Sequence, residues 1–334
     1  MGSDAQAPPS AEPQRCDLVL GGGGVRGIAH VGALAELREH GYTVNRIAGA
    51  SSGAMAGSMI AAGASPDELK TILTELDWPG LTLSDLAGRL ANTPLVGGVL
   101  ERVGQNRTTD PDQWITRLLA DRGVHTWADL RLEDPDPWIP QDQRYRLVVR
   151  ALDIVNRRIV RLPWDYQRYG LDPDEQPVAQ AVRASMSVPL VFDPVPIGDR
   201  TTTGGLLIDG GLGAGFSVDV LDRRDGESPD HPTFALRLLD RPHERTWPDS
   251  ATARLRAVVA TVLDTGNQMK PTGPCDERRT INLDTSHVRT LDVLITKEEV
   301  AELFDVGADA TRAFLAHYDH RSFAHDCRGG HPSR

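Results

Sequence analysis

The sequence predicts an α/β protein: a three-layer α/β/α sandwich around a mainly parallel sheet, with one loop-rich helical insertion. Three observations carry this. Short apolar runs alternate with helical segments from the start of the fold, the pattern of parallel strands joined by crossover helices. Glycine-rich turns, "LGGGGVRG" and "GASSG", stand at two consecutive strand-to-helix junctions. The 334 residues suffice for a sizeable core, and no loop is long enough to serve as a domain linker.

Residues 1–15 have no apolar h-region and read as a disordered lead-in, neither signal peptide nor anchor. Asp17 to Leu20 form a short strand, and a helix from about Val25 to His40 follows, stopped by Gly41. A second strand runs from Val44 to about Ala48, then a helix of small residues, "SSGAMAGSMIAAG". Ser65, Pro66 and Glu68 supply an N-cap, an N1 proline and an N3 carboxylate for a helix whose apolar face is Leu69, Ile72, Leu73 and Leu76. From about 78 to 140 the pattern loosens into an insertion with helical pieces at Leu83 to Leu90 and Asp112 to Ala120. "RYRLVVRALDIV" and "RRIVRLP" predict two strands, "PVAQAVRASMSVP" a helix, and "GLLIDGG" and "PTFALRLL" two more strands. A final helix opens on a capping box, Thr296 to Glu299, and lines up Val300, Leu303, Phe304, Gly307, Thr311 and Phe314. Residues 16–318 are expected to be one domain, and 319–334 a flexible tail.

Composition excludes several functions. Thirty-six basic against 47 acidic residues give a net charge of −11, which argues against nucleic acid or a bare anionic bilayer as partner; any lipid contact should be apolar and local. No run approaches the ~18 apolar residues of a membrane span. Cys16, Cys275 and Cys327 lie far apart, lack CxxC spacing and leave one unpaired, so a reducing, cytoplasmic setting without a zinc site is expected.

The first glycine turn admits two chemistries. Gly22, Gly24 and Gly27 match GxGxxG between a strand and a helix, the setting of a dinucleotide cradle. That fold also needs an acidic residue at the end of the second strand to hold ribose hydroxyls, and here the strand ends in "AGASSG". Gly49 to Gly53 is instead G-x-S-x-G with Ser51 central, the strand-to-helix setting of a nucleophile elbow. Roughly 0.2 such pentapeptides are expected by chance in this composition, so placement beside the first glycine turn, not the motif alone, gives it weight. On this reading the N–H groups of Gly22, Gly23 and Gly24, with that of Ser52, hold the oxyanion formed when Ser51 attacks a carbonyl.

Ten histidines offer themselves as base, yet none has a local context that singles it out. Asp209 does: it ends the apolar run "LLIDGG" before Gly210 and Gly211, where it reaches the sheet edge that also receives Ser51. The plain alternative is an Asx-turn that merely closes the strand.

Taken in order, "GGGGVRGIAHVGAL", "GASSGA" and "DGG" resemble the patatin-like phospholipase family, as does "AVRASMSVPLVFDPVPI" before the aspartate. The resemblance covers Leu18 to about Leu315. It implies a patatin-like fold, a Ser51–Asp209 dyad without histidine, an oxyanion hole at Gly22 to Gly24, an Arg26 that supports either that hole or the bound head group, and lipid acyl-ester hydrolysis without metal or cofactor. One departure is "GAGFSV" after the aspartate, where the family has asparagines and a proline.

The expected partner is a lipid or other acyl ester, with transient membrane or micelle contact. The stretch "DWPGLTLSDLAGRLANTPLVGGVLERV" reads either as a mobile lid or as packing on the sheet, and Trp78, Trp114, Trp127 and Trp138 as packing rather than interfacial anchors. Arg144, Arg146, Arg150, Arg157, Arg158 and Arg161 are expected on a solvated hairpin surface, with head-group contact as the alternative. Two other functions remain open: an acyltransferase using the same acyl-enzyme, and a lipid-binding protein with a weakened dyad.

Overall fold

The computed structural model describes residues 14–76, 111–189, 191–213, 217–225, 227, 229–240, 247–267, 271–288 and 295–327. The lead-in over 1–13, the expected helix Leu83–Leu90, the candidate lid, Trp78, His243 and Ala214 to Phe216 lie outside them.

Among the described residues eight strands form one sheet. They are β1 (Gln14–Leu20), β2 (Tyr42–Ala50), β3 (Leu147–Asp153), β4 (Arg158–Leu162), β5 (Val195–Ile197), β6 (Gly205–Asp209), β7 (Thr233–Leu239) and β8 (Thr280–Asp284). Their order is β5-β6-β3-β2-β1-β7-β8, with β4 also pairing β3. The sheet is parallel from β3 through β2, β1 and β7 to β8. Central β1 is buried from Cys16 to Leu20, as a strand covered on both faces must be.

Helices flank the sheet: α1 (Ile28–Glu39), α2 (Ser52–Ala61), α3 (Pro66–Glu75), α4 (Pro111–Ala120), α5 (Val178–Ser185), α6 (Ala251–Asn267), α7 (Pro274–Glu277), α8 (Lys297–Leu315) and α9 (His320–Asp326). The capping boxes at Ser65 and Thr296 form as the sequence dictates. Helix α1 is buried on nearly every side because α8 covers it. The two cross backbone to backbone at Gly32 and Gly307, where a Cβ on either would strike the carbonyl of Phe304 or Ala29.

Several expectations need correction. Strand β4 pairs antiparallel with β3, as a hairpin must, but β5 and β6 also run antiparallel to their neighbours, which local periodicity does not reveal. Helix α6 and strand β8 were not expected from pattern at all, β8 being a five-residue edge strand beside β7. Residues 319–327 are not a loose tail: Asp319 caps α9, Phe323 is buried, and Cys327 forms a disulfide with Cys275. The cysteines therefore do not argue for a reducing compartment. Fifty-two residues separate the pair, and only the docking of α9 beside α7 brings their Cα atoms to 5.7 Å. Cys16 remains a buried free thiol. Among the described residues no helix is long and apolar enough to cross a membrane.

Closing a loop of that length restricts the unfolded chain by about 4 kcal/mol in the chain-entropy model. Cys327→Ala should lose a comparable part of the unfolding free energy, and reductant should depress the denaturation midpoint of the wild type but not of the variant.

Candidate active site

The local geometry at Ser51 follows from its glycines. Strand β2 turns straight into α2, and Ser51 takes φ 53° and ψ −124°, a strained conformation for a residue with a Cβ. Gly49 and Gly53 permit the turn: a Cβ on Gly49 would collide with the carbonyl of Gly53, and one on Gly53 with those of Leu20 and Gly21. The strand carrying the first glycine turn is thus pressed directly against the start of α2, whose dipole favours negative charge at that end.

Strand register decides what Ser51 meets. Arg150 of β3 pairs with Ala50 on one flank and Arg161 on the other; Ala151 pairs with Asp209 and Val160. Since β4 occupies one flank, β2 and β6 must share the other, running toward each other. Their ends meet at Ser51 and Asp209, and Ser51 Oγ donates a hydrogen bond to Asp209 Oδ2 at 2.7 Å. The aspartate reaches the site by an antiparallel strand, not as one more carboxyl end of a parallel array.

Asp209 is fully buried, and burial pushes its pKa up to about 7; the Ser51 hydroxyl, the Gly211 N–H and the Arg150 guanidinium act in the opposite direction. Its Oδ1 accepts the Gly211 N–H at 2.6 Å, so the Asx-turn and the Ser51 contact coexist, one on each oxygen. Gly210 passes so close to the carbonyl of Arg150 that a Cβ has no room. Arg150 is buried, contrary to the solvated surface expected for the arginine group, and burial pushes its pKa down to about 10.

Two residues that the sequence did not single out hold this pair. Ser185, at the end of α5, accepts the Ser51 N–H at 2.8 Å and donates to the Arg150 carbonyl at 2.6 Å. Two positions on, the Ser187 carbonyl accepts the Asp209 N–H at 3.0 Å. The only sequence hint was the small-residue run "ASMS" ending that helix.

Gly22 and Gly23 are buried, and among the described residues their N–H groups find no acceptor. The Ser52 N–H, first in α2, has no intrahelical acceptor by helix geometry. Arg26, also buried, donates through Nε to the Gly23 carbonyl at 3.2 Å and pairs with Asp240 at 2.9 Å, tying the loop to the end of β7. Its guanidinium is spent on protein rather than offered to a head group. His30 is buried, its Nε2 2.9 Å from the Gly21 carbonyl, and burial pushes its pKa down to about 4. It is therefore neutral and donates through Nε2, fixing the first peptide of the loop. Beside that loop lies an apolar recess lined by Gly24, Gly27, Ile28, Met55, Met59 and Trp114, among others. Trp114, Trp127 and Trp138 are all partly or wholly buried. Among the described residues no group of three or more His, Cys, Asp or Glu side chains is placed to hold a metal.

The family model described as patatin-like phospholipase matches residues 18–222. The chain belongs to that family. This patatin-like chain is 30% identical over 304 residues to YqhO of Bacillus subtilis (strain 168), spanning 90% of this chain and 97% of that one. It is 28% identical over 199 residues to the lysophospholipase NTE1 of Eremothecium gossypii, covering 59% of this chain but only 10% of that much longer protein. Among solved structures, VipD from Legionella pneumophila superposes with a TM-score of 0.51 at 18% identity, covering 92% of this chain and 67% of VipD, which is a likeness of fold. The family is one of lipid acyl hydrolases, and among the described residues the side-chain partner of Ser51 Oγ is Asp209.

Ser185→Ala leaves the buried Ser51 N–H unpaired, which should cost about 1–3 kcal/mol in denaturant titration. It should also lower kcat by about 10- to 100-fold on any ester the protein cleaves, because the elbow loses its lateral tether. Asp209→Asn should do the reverse to stability. Since the folded pKa lies above the ordinary 3.8, the unfolded chain gives up this proton first as pH rises; stability falls between about pH 4 and 7, and the cost is complete above 7. The amide removes that cost, so thermal unfolding at pH 8 should show a gain on the order of 1–4 kcal/mol while turnover is lost.

Proposed function

We propose that the protein hydrolyses carboxylic acyl esters of lipids, with Ser51 as nucleophile and Asp209 as its base. The observation that carries this is the 2.7 Å hydrogen bond from Ser51 Oγ to the buried Asp209, at a strained strand-to-helix turn.

Ser51 Oγ attacks the ester carbonyl carbon as its proton passes to Asp209 Oδ2. The carbonyl oxygen becomes an oxyanion among the N–H groups of Gly22, Gly23, Gly24 and Ser52, with Arg26 and His30 holding the loop in shape. Collapse of the tetrahedral intermediate expels the alcohol, which takes the proton from Asp209. Water then adds to the acyl-enzyme, giving its proton to Asp209, and the fatty acid departs as Ser51 recovers that proton. An aspartate of ordinary acidity is a feeble base for a hydroxyl; one lifted to about 7 is better matched to the task. Donors fixed before the reaction are typically worth about 10²- to 10³-fold each in kcat.

The departure "GAGFSV" does not by itself disable the base. Asp209 is positioned by the Gly211 N–H and by the Ser187 carbonyl on its own N–H, neither of which needs the family's asparagines.

A fluorophosphonate should label Ser51, located by peptide mass spectrometry, and Ser51→Ala should abolish both label and ester turnover. Since Asp209 acts ionised, kcat/KM should fall as pH drops through about 7, and Asp209→Asn should remove that limb along with the activity. Folded protein that takes no label, or a rate flat between about pH 5.5 and 8.5, rules the mechanism out.

A further inference from the structure

Six large apolar side chains are exposed among the described residues: Ile154, Val155, Ile159, Trp247, Val258 and Val262. Scattered singly they would mean nothing. They fall instead into two segments, both joined to the structure that carries Asp209. Val258 and Val262 lie one turn apart on α6, which packs on the turn Gly210–Leu212, and Trp247 shortly precedes that helix. Ile154, Val155 and Ile159 crown the hairpin between β3 and β4, exposed by 47%, 60% and 46%.

The hairpin stands at the catalytic end of the sheet. Strand β2 ends where Ala50 pairs with Arg150, and β3 runs on in the same direction through Asp153 before turning over 154–157. At about 3.3 Å per residue the turn lies about 13 Å beyond the strand end that bears Ser51. It is also braced. The Asp153 carboxylate accepts the N–H groups of Val155 and Asn156 at 3.0 and 3.1 Å and the Tyr169 hydroxyl at 2.7 Å, while Asn156 Nδ2 reaches the Gly204 carbonyl at 3.1 Å. The fold thus holds aliphatic side chains out in water on a built support.

Its charge is opposite to that of the molecule. Arg157, Arg161 and, on the adjoining loop, Arg200 are exposed, and Arg158 is half-buried beside Asp153. Of the carboxylates near them, Asp153 is buried, Asp199 is engaged by the Thr201 N–H and hydroxyl, and Asp165 by the Arg161 N–H and the Arg168 guanidinium. In a chain of net charge −11, three aliphatic tips ringed by arginines match a phospholipid surface: acyl region for the tips, phosphate layer for the guanidinium groups. A protein partner fits less well, since three half-exposed side chains offer far less than the roughly 800 Å² per partner of a stable interface.

We propose that the β3–β4 hairpin is a membrane-docking surface that seats Ile154, Val155 and Ile159 in a zwitterionic phospholipid layer and so presents the Ser51 end of the sheet to lipid. The proposal extends the lipid hydrolase reading, and its test separates the two. The full chain is sedimented with phosphatidylcholine vesicles, and the same preparations are assayed on a soluble short-chain ester and on vesicle lipid. The wild type should bind. The triple change Ile154→Ser, Val155→Ser, Ile159→Ser should lower partitioning by about tenfold or more, because burial of aliphatic surface drives insertion. Soluble-ester turnover should stay within about twofold of wild type, showing the fold intact, while vesicle turnover falls with binding. Val155→Trp should strengthen partitioning. A wild type that does not sediment with vesicles overturns the proposal. So does a triple variant that binds as well as wild type, or one whose only change is lost self-association in sedimentation velocity. A chain that binds through the hairpin yet cleaves no ester would remove the hydrolase reading and leave the docking surface standing.

Discussion

Everything at the site depends on two strands that run toward each other along one flank of β3 and stop a residue short of collision. β2 stops at Ala50, opposite Arg150; β6 stops at Asp209, opposite Ala151. Register on β3 therefore fixes the distance between a serine and an aspartate that lie 158 residues apart in the chain. A slip of one residue on either side would turn a side chain to the other face of the sheet. Ser185, ending α5, and Ser187, just after it, secure the arrangement from the side by taking one backbone N–H from each partner.

That meeting point is costly to build. It buries a carboxylate completely, strains Ser51 and leaves the Gly22 and Gly23 donors without acceptors among the described residues. The compensations are local and specific: one carboxylate oxygen takes the Ser51 hydroxyl, the other takes the Gly211 N–H, and the buried Arg150 supplies positive charge. Burial raises the carboxyl pKa toward neutrality, and so supplies by desolvation what a histidine would supply by its intrinsic acidity. On the proposed mechanism, the burial that destabilises the fold at this point is also what suits a lone aspartate to act as a base.

Close backbone approach is the second organising constraint. α2 presses on the end of β1 at Gly53, and α1 meets α8 at Gly32 and Gly307, so the glycine loop is enclosed by rigid elements rather than suspended. Arg26 and His30 each spend a buried polar group on a carbonyl of that loop. Farther along β3, the same strand that registers the dyad ends in the braced hairpin with its exposed aliphatic tip. Catalytic geometry and surface geometry consequently share one piece of backbone.

The strand-turn-helix pattern, the two glycine turns, Ser51 and Asp209 were all legible in the sequence, because each rests on a local rule: period, turn residues, or a short side chain closing a strand. Family membership likewise followed from three short motifs in order. What the residues could not disclose lies in contacts across long separations. Nothing near Ser185 announces that it will meet Ser51, 134 positions away, nor does the sequence reveal that Arg150 turns inward beside Asp209. The antiparallel course of β5 and β6, the docking of α9 and the Cys275–Cys327 bridge were hidden for the same reason. Local chemistry selected the reactive groups; only tertiary packing, which sets register, burial and therefore pKa, decided which of them meet and in what state of charge.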